Sequence, residues 1–235
     1  MNATDMVSQL ERLGSDSYRK ILINHGANEP VLGVKIADLK RLQKQTKTDH
    51  HLALELFDTG IYDAQYLAGL VVDDEQMSKR DLRHWVAKSN CPAISGTIVA
   101  WVAAESRVGN ELALKWVDAK NENAAQTGWM TLCSLVAITD DAVLDLSELT
   151  KLLQRVGRTI HKERNLVRYA MNSFVIATGS YVTELIDLSL QIGEKIGTVS
   201  VDMGNTSCAV PSAVEYIQKV QRRGAIGKKR KTAKC

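Results

Sequence analysis

The sequence predicts an all-α fold, a right-handed superhelix of antiparallel helical pairs, from three observations. The 235 residues include only three prolines, and most of the chain places apolar side chains at helical spacing. The predicted helices occur along the chain in pairs of about 30–40 residues, which is the period range of α-helical repeat arrays. With 45% apolar and 24% charged residues, the composition is that of an ordinary globular protein. Sequence identity between the pairs is poor, so the repeat lies in the architecture.

Thirteen helices are predicted, and several begin with recognisable signals. Ser78 precedes Asp81 by three residues as in a capping box, Pro92 stands in a first turn, and Asp145 precedes an apolar run. The stretch 49–57 taken alone is also compatible with a strand. The predicted helices span residues 3–13, 17–24, 35–46, 49–57, 61–72, 78–89, 92–106, 109–118, 122–138, 145–157, 162–178, 181–196 and 211–222.

One segment interrupts the helical pattern. Residues 198–210 alternate β-branched and polar side chains around Gly204 and Asn205, and Gly and Asn tolerate the positive φ of a tight turn. We therefore predict a short β-hairpin over 198–210. A lone hairpin is marginally stable in water, so it must pack against the last helices or against a partner. A structural cap on the helices and a probe for a nucleic-acid groove, with Asn205 at its tip, are both open.

Charge is divided unevenly along the chain. Residues 1–150 carry 15 Lys and Arg against 21 Asp and Glu, and residues 151–235 carry 15 against 6. The net charge of +3 therefore combines a first part at −6 with a second part at +9. This division indicates a polyanionic partner, most often nucleic acid, and a solubilising tail is the alternative.

The strongest local feature is a basic cluster between Lys151 and Asn172. Arg and Asn side chains offer directed N–H donors that suit phosphate oxygens, and helical spacing places several of them near one face. About five or six phosphate contacts would make binding strongly salt-dependent. A solvated face with internal salt bridges is the alternative. The DNA-binding candidates of this cluster are Arg155, Arg158, Lys162, Arg164, Asn165, Arg168 and Asn172.

Residues 223–235 are predicted to form a flexible basic tail behind a single domain over 1–222. Glycines at positions 224 and 227 favour a flexible arm, and its basic side chains could lie along a phosphate backbone. A nuclear localisation signal is the alternative. The four tryptophans fall in consecutive predicted helices and are expected in the core rather than in a base-stacking platform. The candidate DNA contacts of the tail are Lys228, Lys229, Arg230 and Lys231.

No sequence motif indicates a cofactor or a metal. The four cysteines are scattered and no paired histidines have ligand spacing, which predicts a reduced cytoplasmic protein without metal or small-molecule cofactor. No apolar run reaches the roughly 18 residues of a membrane span, so no membrane partner is expected. We expect a monomer, associated with the nucleoid if the source is bacterial.

Two runs carry a resemblance to a known family. Residues 31–40 read VLGVKIADLK, and residues 163–168 read ERNLVR. Together with the helical pairs and the basic second part, they make residues 15–197 resemble the AlkD-like DNA alkylation repair family of HEAT-like-repeat alkylpurine DNA glycosylases. The resemblance implies a curved helical-repeat domain that holds duplex DNA in its concave cleft. Active members of that family excise cationic N3- or N7-alkylated purines.

The sequence departs from the catalytic pattern that the resemblance implies. Active members carry Trp-x-x-x-Asp on one helix and a further Trp later, because a carboxylate stabilises the oxocarbenium ion that forms as the base leaves. Ser95 and Val99 stand near the first two positions and Ser173 at the third. Trp101 and Glu105 repeat the four-residue spacing in a shifted register, which makes them the remaining catalytic candidates.

These observations predict a DNA-binding protein that recognises damaged, bent or branched DNA through its phosphates and lacks glycosylase activity. An active DNA N-glycosylase that uses Trp101 and Glu105 is one alternative. A helical-repeat scaffold for protein partners is the other.

Overall fold

A computed structural model describes residues 2–234, and within them every regular element is helical. The thirteen predicted helices are all found, most with ends within two or three residues of the predicted ones. A π-helical segment, Ile94–Val99, precedes the seventh α-helix. The α-helices of the described chain are α1 Ala3–Leu13, α2 Asp16–Asn24, α3 Ile36–Thr46, α4 His50–Asp58, α5 Tyr62–Val71, α6 Lys79–Lys88, α7 Ala100–Glu105, α8 Gly109–Trp116, α9 Glu122–Ile138, α10 Leu146–Thr159, α11 Asn165–Tyr181, α12 Ile186–Ile196 and α13 Ala213–Arg222.

The helix starts use the side chains that the sequence suggested. Ser78 and Asp81 form a reciprocal capping box at α6. The Asp145 carboxylate accepts the N–H of Glu148 at the start of α10. Each satisfies a backbone donor that has no partner inside its helix, so the local sequence fixes where these helices begin.

The chain divides into two compact units, and the first comprises residues up to Leu112 together with Gly204–Thr206 and Lys234. Its core includes Phe57 of α4 stacked on Trp85 of α6, with ring centroids 4.1 Å apart and an interplanar angle of 6°. Both side chains are buried, so this tryptophan packs in the core as predicted.

Asp63 connects α5 to the turn that carries part of the 31–40 run. This carboxylate is fully buried and accepts the backbone N–H groups of Leu32, Gly33 and Val34 at 2.6, 3.3 and 2.7 Å. Three donors compensate for the cost of burying a charge. The run therefore owes its conformation to a residue about 30 positions later in the chain.

The second unit comprises Ala113–Met203 together with Ser207–Ala233. Helices α9 and α11 form its centre, where Trp129 and Phe174 meet edge to face with ring centroids 5.2 Å apart. Both rings are fully buried. Trp85 and Trp129 thus pack in the cores of the two units as expected, whereas Trp101 is only half-buried.

Close packing against α9 requires a glycine. A Cβ atom added at Gly128 would lie 2.7 Å from the backbone nitrogen of Val117 and 2.8 Å from Cβ of Trp116. Backbone atoms cannot yield at such distances, so a side chain here would push the end of α8 away from α9.

Helices α9 and α11 run side by side in the same direction. At their N-terminal ends, the N–H of Leu166 donates to Glu122 Oε1 at 2.8 Å. At their C-terminal ends, the chain segment that contains Gly227 and Arg230 donates N–H groups to Ser180 O of α11 and Ala137 O of α9, at 3.0 and 2.8 Å. We call the end of the second unit where α9 and α11 begin its N-terminal end, and the end where these two helices finish its C-terminal end.

The predicted β-hairpin over 198–210 is wrong, because no strand occurs among residues 2–234. The segment is an irregular loop whose backbone is held by α11. Asn165 and Asp202 exchange two hydrogen bonds, and Asn172 Nδ2 donates to Pro211 O at 3.0 Å. Side chains from a helix therefore bind backbone groups that a partner strand would have bound in a hairpin.

Candidate nucleic-acid interface

The interface candidates of the 151–172 cluster lie around the N-terminal end of the second unit, but Arg164 and Asn165 make their hydrogen bonds within the protein. Arg164 caps the start of α11 and its guanidinium donates to Ala119 O at 3.0 Å and to Lys120 O. Asn165 binds the backbone of Asp202. Both side chains therefore fasten neighbouring loops.

The Arg155 side chain also makes its contacts within the second unit. Its guanidinium donates to Asp118 Oδ1 at 2.6 Å and to Val117 O at 3.1 Å. The same group lies over the Trp129 ring, 5.6 Å from the centroid. A salt bridge, a backbone hydrogen bond and a cation–π contact together fix this side chain on the end of α8.

Arg168 and Asn172 lie on the face of α11 that faces the 198–212 loop. Arg168 Nη2 donates to Asn165 Oδ1 at 3.2 Å, while its Nε is buried without a hydrogen-bond partner. Asn172 is 1% exposed and donates to the loop backbone. The predicted alignment of these side chains on one face is thus present, but that face holds the loop.

Four exposed cations remain at this end, and we call them the N-terminal patch. Arg158 and Lys162 lie where α10 gives way to α11. His161 Nε2 contacts Ile196 O at 2.9 Å, which brings the end of α12 and its Lys195 alongside. The patch consists of Lys120, Arg158, Lys162 and Lys195, all exposed and none in an ion pair with another residue of the range 2–234.

Sequence reasoning missed Lys120 and Lys195. Both lie outside the 151–172 cluster in sequence, and only the folded chain places them at the same end of the helix pair. For Lys195 the available signal was its place in the last turn of a helix, a position that the helix dipole favours, whereas Lys120 lies in the loop between α8 and α9 and carries no such signal.

The tail lies against the opposite, C-terminal end of the same helix pair. Lys229 Nζ donates to Val136 O at 2.8 Å and pairs with Asp141 at 2.6 Å. Burial opposes ionisation of Asp141, but hydrogen bonds from Lys229 and from the Thr183 N–H outweigh it and hold the carboxyl pKa below its ordinary value. Residues 227–230 therefore cap the ends of α9 and α11.

Two tail lysines point into solvent and join the cations at the end of α13. Lys228 and Lys231 are exposed, unlike Lys229 and Arg230, which are half-buried. Asn205, the remaining candidate, is exposed in the 198–212 loop. We define the C-terminal patch as the exposed side chains of Lys219, Arg222, Arg223, Lys228 and Lys231, which form no ion pair within residues 2–234.

The positions that correspond to the family's catalytic residues lack catalytic groups. Ser95 and Val99 both belong to the π-helical segment and are buried in the first unit. Ser95 Oγ donates to Pro92 O at 3.2 Å, and Val99 is apolar. Ser173 donates to Tyr169 O of its own helix at 2.9 Å. None of the three supplies a carboxylate or an aromatic face.

Trp101 and Glu105 lie on α7 in the first unit. The half-buried Trp101 ring meets Tyr66 edge to face, with centroids 6.3 Å apart. Glu105 lies near Asp74, which pairs with Lys234 at 2.7 Å. Burial raises the pKa of Asp74 to about 6, the Glu105 charge adds to this rise, and Lys234 opposes it. The neighbours of Glu105 thus include a second carboxyl group and a lysine.

Residues 6–217 match the family model described as "DNA alkylation repair enzyme", so the chain belongs to the DNA alkylation repair enzyme family. The resemblance seen in the sequence is therefore confirmed.

A solved structure matches the whole chain. It is described as "A new family of proteins related to the HEAT-like repeat DNA glycosylases with affinity for branched DNA structures". The likeness has a TM-score of 0.93 at 33% sequence identity and covers 100% of both chains. The predicted HEAT-like-repeat fold is confirmed by this match.

Two curated relatives come from Listeria. An uncharacterized protein of Listeria innocua is 30% identical over 221 residues, 92% of this chain and 96% of that protein. An uncharacterized protein of Listeria monocytogenes is 28% identical over the same length and coverage.

Within 2–234, no group of three or more His, Cys, Asp and Glu side chains is placed to hold a metal ion. None of the helices described there is long and apolar enough to cross a membrane.

Proposed function

We propose that this protein binds branched DNA through phosphate contacts and does not excise bases. The observation that carries the proposal is the whole-length likeness to a protein of a family with affinity for branched DNA. At 33% identity and full coverage, the likeness extends beyond a shared fold. We further propose that the protein acts in the cytoplasm as a monomer.

The charge distribution supports a DNA partner. The N-terminal patch offers four exposed cations that no carboxylate of the described chain neutralises, and phosphates would release counterions on binding them. Lysine and arginine without nearby base-reading side chains suit recognition of DNA shape rather than sequence. In this proposal Arg158 and Lys162 contact DNA, while Arg155, Arg164 and Asn165 hold the surrounding loops.

The absence of base excision is proposed from the chemistry of the site. Loss of an alkylated purine leaves an oxocarbenium ion, which a fixed carboxylate stabilises electrostatically. Val99 stands near the expected position of that carboxylate and is buried in the core. A buried apolar side chain there offers no charge to stabilise such an ion.

Binding of a four-way junction and of a linear duplex of equal strand length, measured across a salt series, tests the proposal. We expect tighter binding to the junction and a steep loss of affinity with salt, by about 0.9 log units per log unit of salt for each phosphate neutralised. Equal binding of both DNAs would refute recognition of branched DNA. An absent or salt-independent response would instead favour a scaffold for protein partners.

Incubation with alkylated DNA tests the second half of the proposal. We expect no release of free base above the uncatalysed rate. Release that Glu105→Gln abolishes in a folded protein would instead identify an active glycosylase that uses Trp101 and Glu105. The Glu105→Gln variant keeps the size of the side chain, so loss of activity would report the charge.

A further inference from the structure

The two basic patches lie at opposite ends of one helix pair. Arg164 and Glu122 mark the N-terminal end through their contacts with the start of α9 and α11. Gly227 and Arg230 mark the C-terminal end through hydrogen bonds to the last turns of the same helices. Since α9 and α11 have 17 residues each, the two ends are about 25 Å apart.

Each patch is assigned to its end by contacts within the second unit. For the N-terminal patch, a Cβ atom at Gly157 of α10 would lie 3.6 Å from Cδ of Lys195 on α12. For the C-terminal patch, a Cβ atom at Gly179 would lie 2.5 Å from Cδ1 of Ile217, which places the middle of α13 beside the last turn of α11, and the patch residues of α13 follow Ile217 in the chain. The cations of the two patches are therefore separated by the length of the helices.

A straight duplex that crosses the helix pair at right angles is poorly suited to such a pair of surfaces. DNA has a persistence length of about 150 base pairs, and bending a short site by 40–90° costs about 1–6 kcal/mol. A duplex that lies across one end of the helix pair must bend to reach the other end. A branched DNA molecule presents two arms that already diverge, so both ends can be contacted without that cost.

We propose that the N-terminal and C-terminal patches bind two different arms of one branched DNA molecule. The inference rests on the proposed function and adds to it the physical origin of a preference for branches. Simultaneous contact with two arms raises the affinity by making the second contact intramolecular. A linear duplex that crosses the helix pair at right angles engages one patch at a time.

Matched double substitutions test this arrangement. One variant carries Arg158→Gln and Lys162→Gln, the other Lys228→Gln and Lys231→Gln. Both remove two exposed charges that have no ion-pair partner within residues 2–234, so folding should be unaffected. Lys20→Gln with Lys44→Gln in the first unit removes the same charge from exposed positions and is the control.

Each patch variant should lose about tenfold or more in affinity for a four-way junction and less than about threefold for a linear duplex. The control should keep the wild-type ratio of the two affinities. If either patch variant also keeps that ratio, the two-arm proposal is overturned, while junction binding by the wild type leaves the proposed function standing. If the wild type itself shows no preference for junctions, the proposed function fails first.

Photocrosslinking gives an independent measurement on folded protein. A benzophenone amino acid placed at Lys162 should crosslink to one arm of a junction with four distinguishable arms, and the same group at Lys231 should crosslink to a different arm. Crosslinks from both positions to the same arm would overturn the proposal.

Discussion

Asn165 and Asp202 exchange two hydrogen bonds, from Asn165 Nδ2 to Asp202 O at 2.9 Å and from Asp202 N to Asn165 Oδ1 at 2.8 Å. An amide side chain can pair with a backbone residue in this way because it offers a donor and an acceptor side by side. The first turn of α11 therefore holds one side of the 198–212 loop in place.

Replacing Asn165 with Ala should loosen this loop. Both hydrogen bonds to Asp202 are lost, together with the one that Arg168 donates to Asn165 Oδ1, which at about 1 kcal/mol each should lower the free energy of unfolding by about 2–3 kcal/mol. Hydrogen exchange of the 198–210 amides should become faster. Asn205→Ala, at an exposed position of the same loop, should change neither quantity, and protection unaltered in the Asn165 variant would contradict the anchoring role.

Substitution of Arg155 should lower stability and substitution of Arg158 should weaken DNA binding, although both residues belong to the same basic cluster. Arg155→Ala removes a salt bridge, a backbone hydrogen bond and a cation–π contact, and should cost about 2 kcal/mol of stability. Arg158→Ala should leave stability unchanged and weaken DNA binding. Denaturant titrations and junction-binding curves on the same two proteins decide the matter; the reverse pattern would reject our assignment.

Asp63→Asn should be among the most damaging conservative changes in the first unit. The carboxylate satisfies three backbone donors, whereas an amide offers one oxygen and brings a buried NH₂ group. We expect a loss of about 2–4 kcal/mol, measured by urea denaturation. Asp38→Asn, on the half-buried surface of α3, is the control and should cost less than about 1 kcal/mol.

Lys229→Met should release the tail from the C-terminal end of the second unit. The change keeps the side-chain length but removes the donor to Val136 O and the partner of Asp141. We expect a loss of about 1–3 kcal/mol and faster hydrogen exchange over 225–231. Lys228→Met should have no such effect because Lys228 is exposed; equal behaviour of the two variants would show that the tail is the flexible arm predicted from its composition.

Asp74 should give the protein a pH-dependent contribution to stability of unusual sign. Its pKa is raised from 3.8 to about 6, so between these values the folded state holds a proton that the unfolded state has lost. This contribution to the free energy of unfolding therefore falls as the pH rises from about 4 to about 6. The difference in stability between wild type and Asp74→Asn should change across that window, and a difference that is constant with pH would refute the assignment.

Local sequence signals predicted the helices but could not predict the 198–210 segment. Helical periodicity and capping residues such as Ser78 act within a few positions, so they are visible in the sequence. The alternation around Gly204 and Asn205 is also a local signal. The structure that residues 198–210 adopt, however, depends on Asn165 and Asn172, which bind the loop backbone from about 37–39 positions away. Those side chains supply the hydrogen bonds that a strand would otherwise need.

For the candidate site, too, the sequence predicts the composition but not the positions of the side chains. The sequence reveals that residues 151–172 are basic, but not that carbonyl groups at the end of α8 engage Arg155 and Arg164. These contacts join residues 38 and 45 positions apart. The same folding brings in Lys120 and Lys195, which no local pattern connects to the cluster. A count of charges therefore shows that the region is basic but not which of its side chains remain exposed.

The placement of the buried tryptophans gives each unit its own optical reporter. Trp85 lies stacked on Phe57 in the first unit, and Trp129 lies against Phe174 in the second. Both indoles are removed from water, so unfolding around either one should shift its emission to longer wavelengths. In proteins that keep only one of these tryptophans, fluorescence would follow the melting of one unit at a time, without any attached dye.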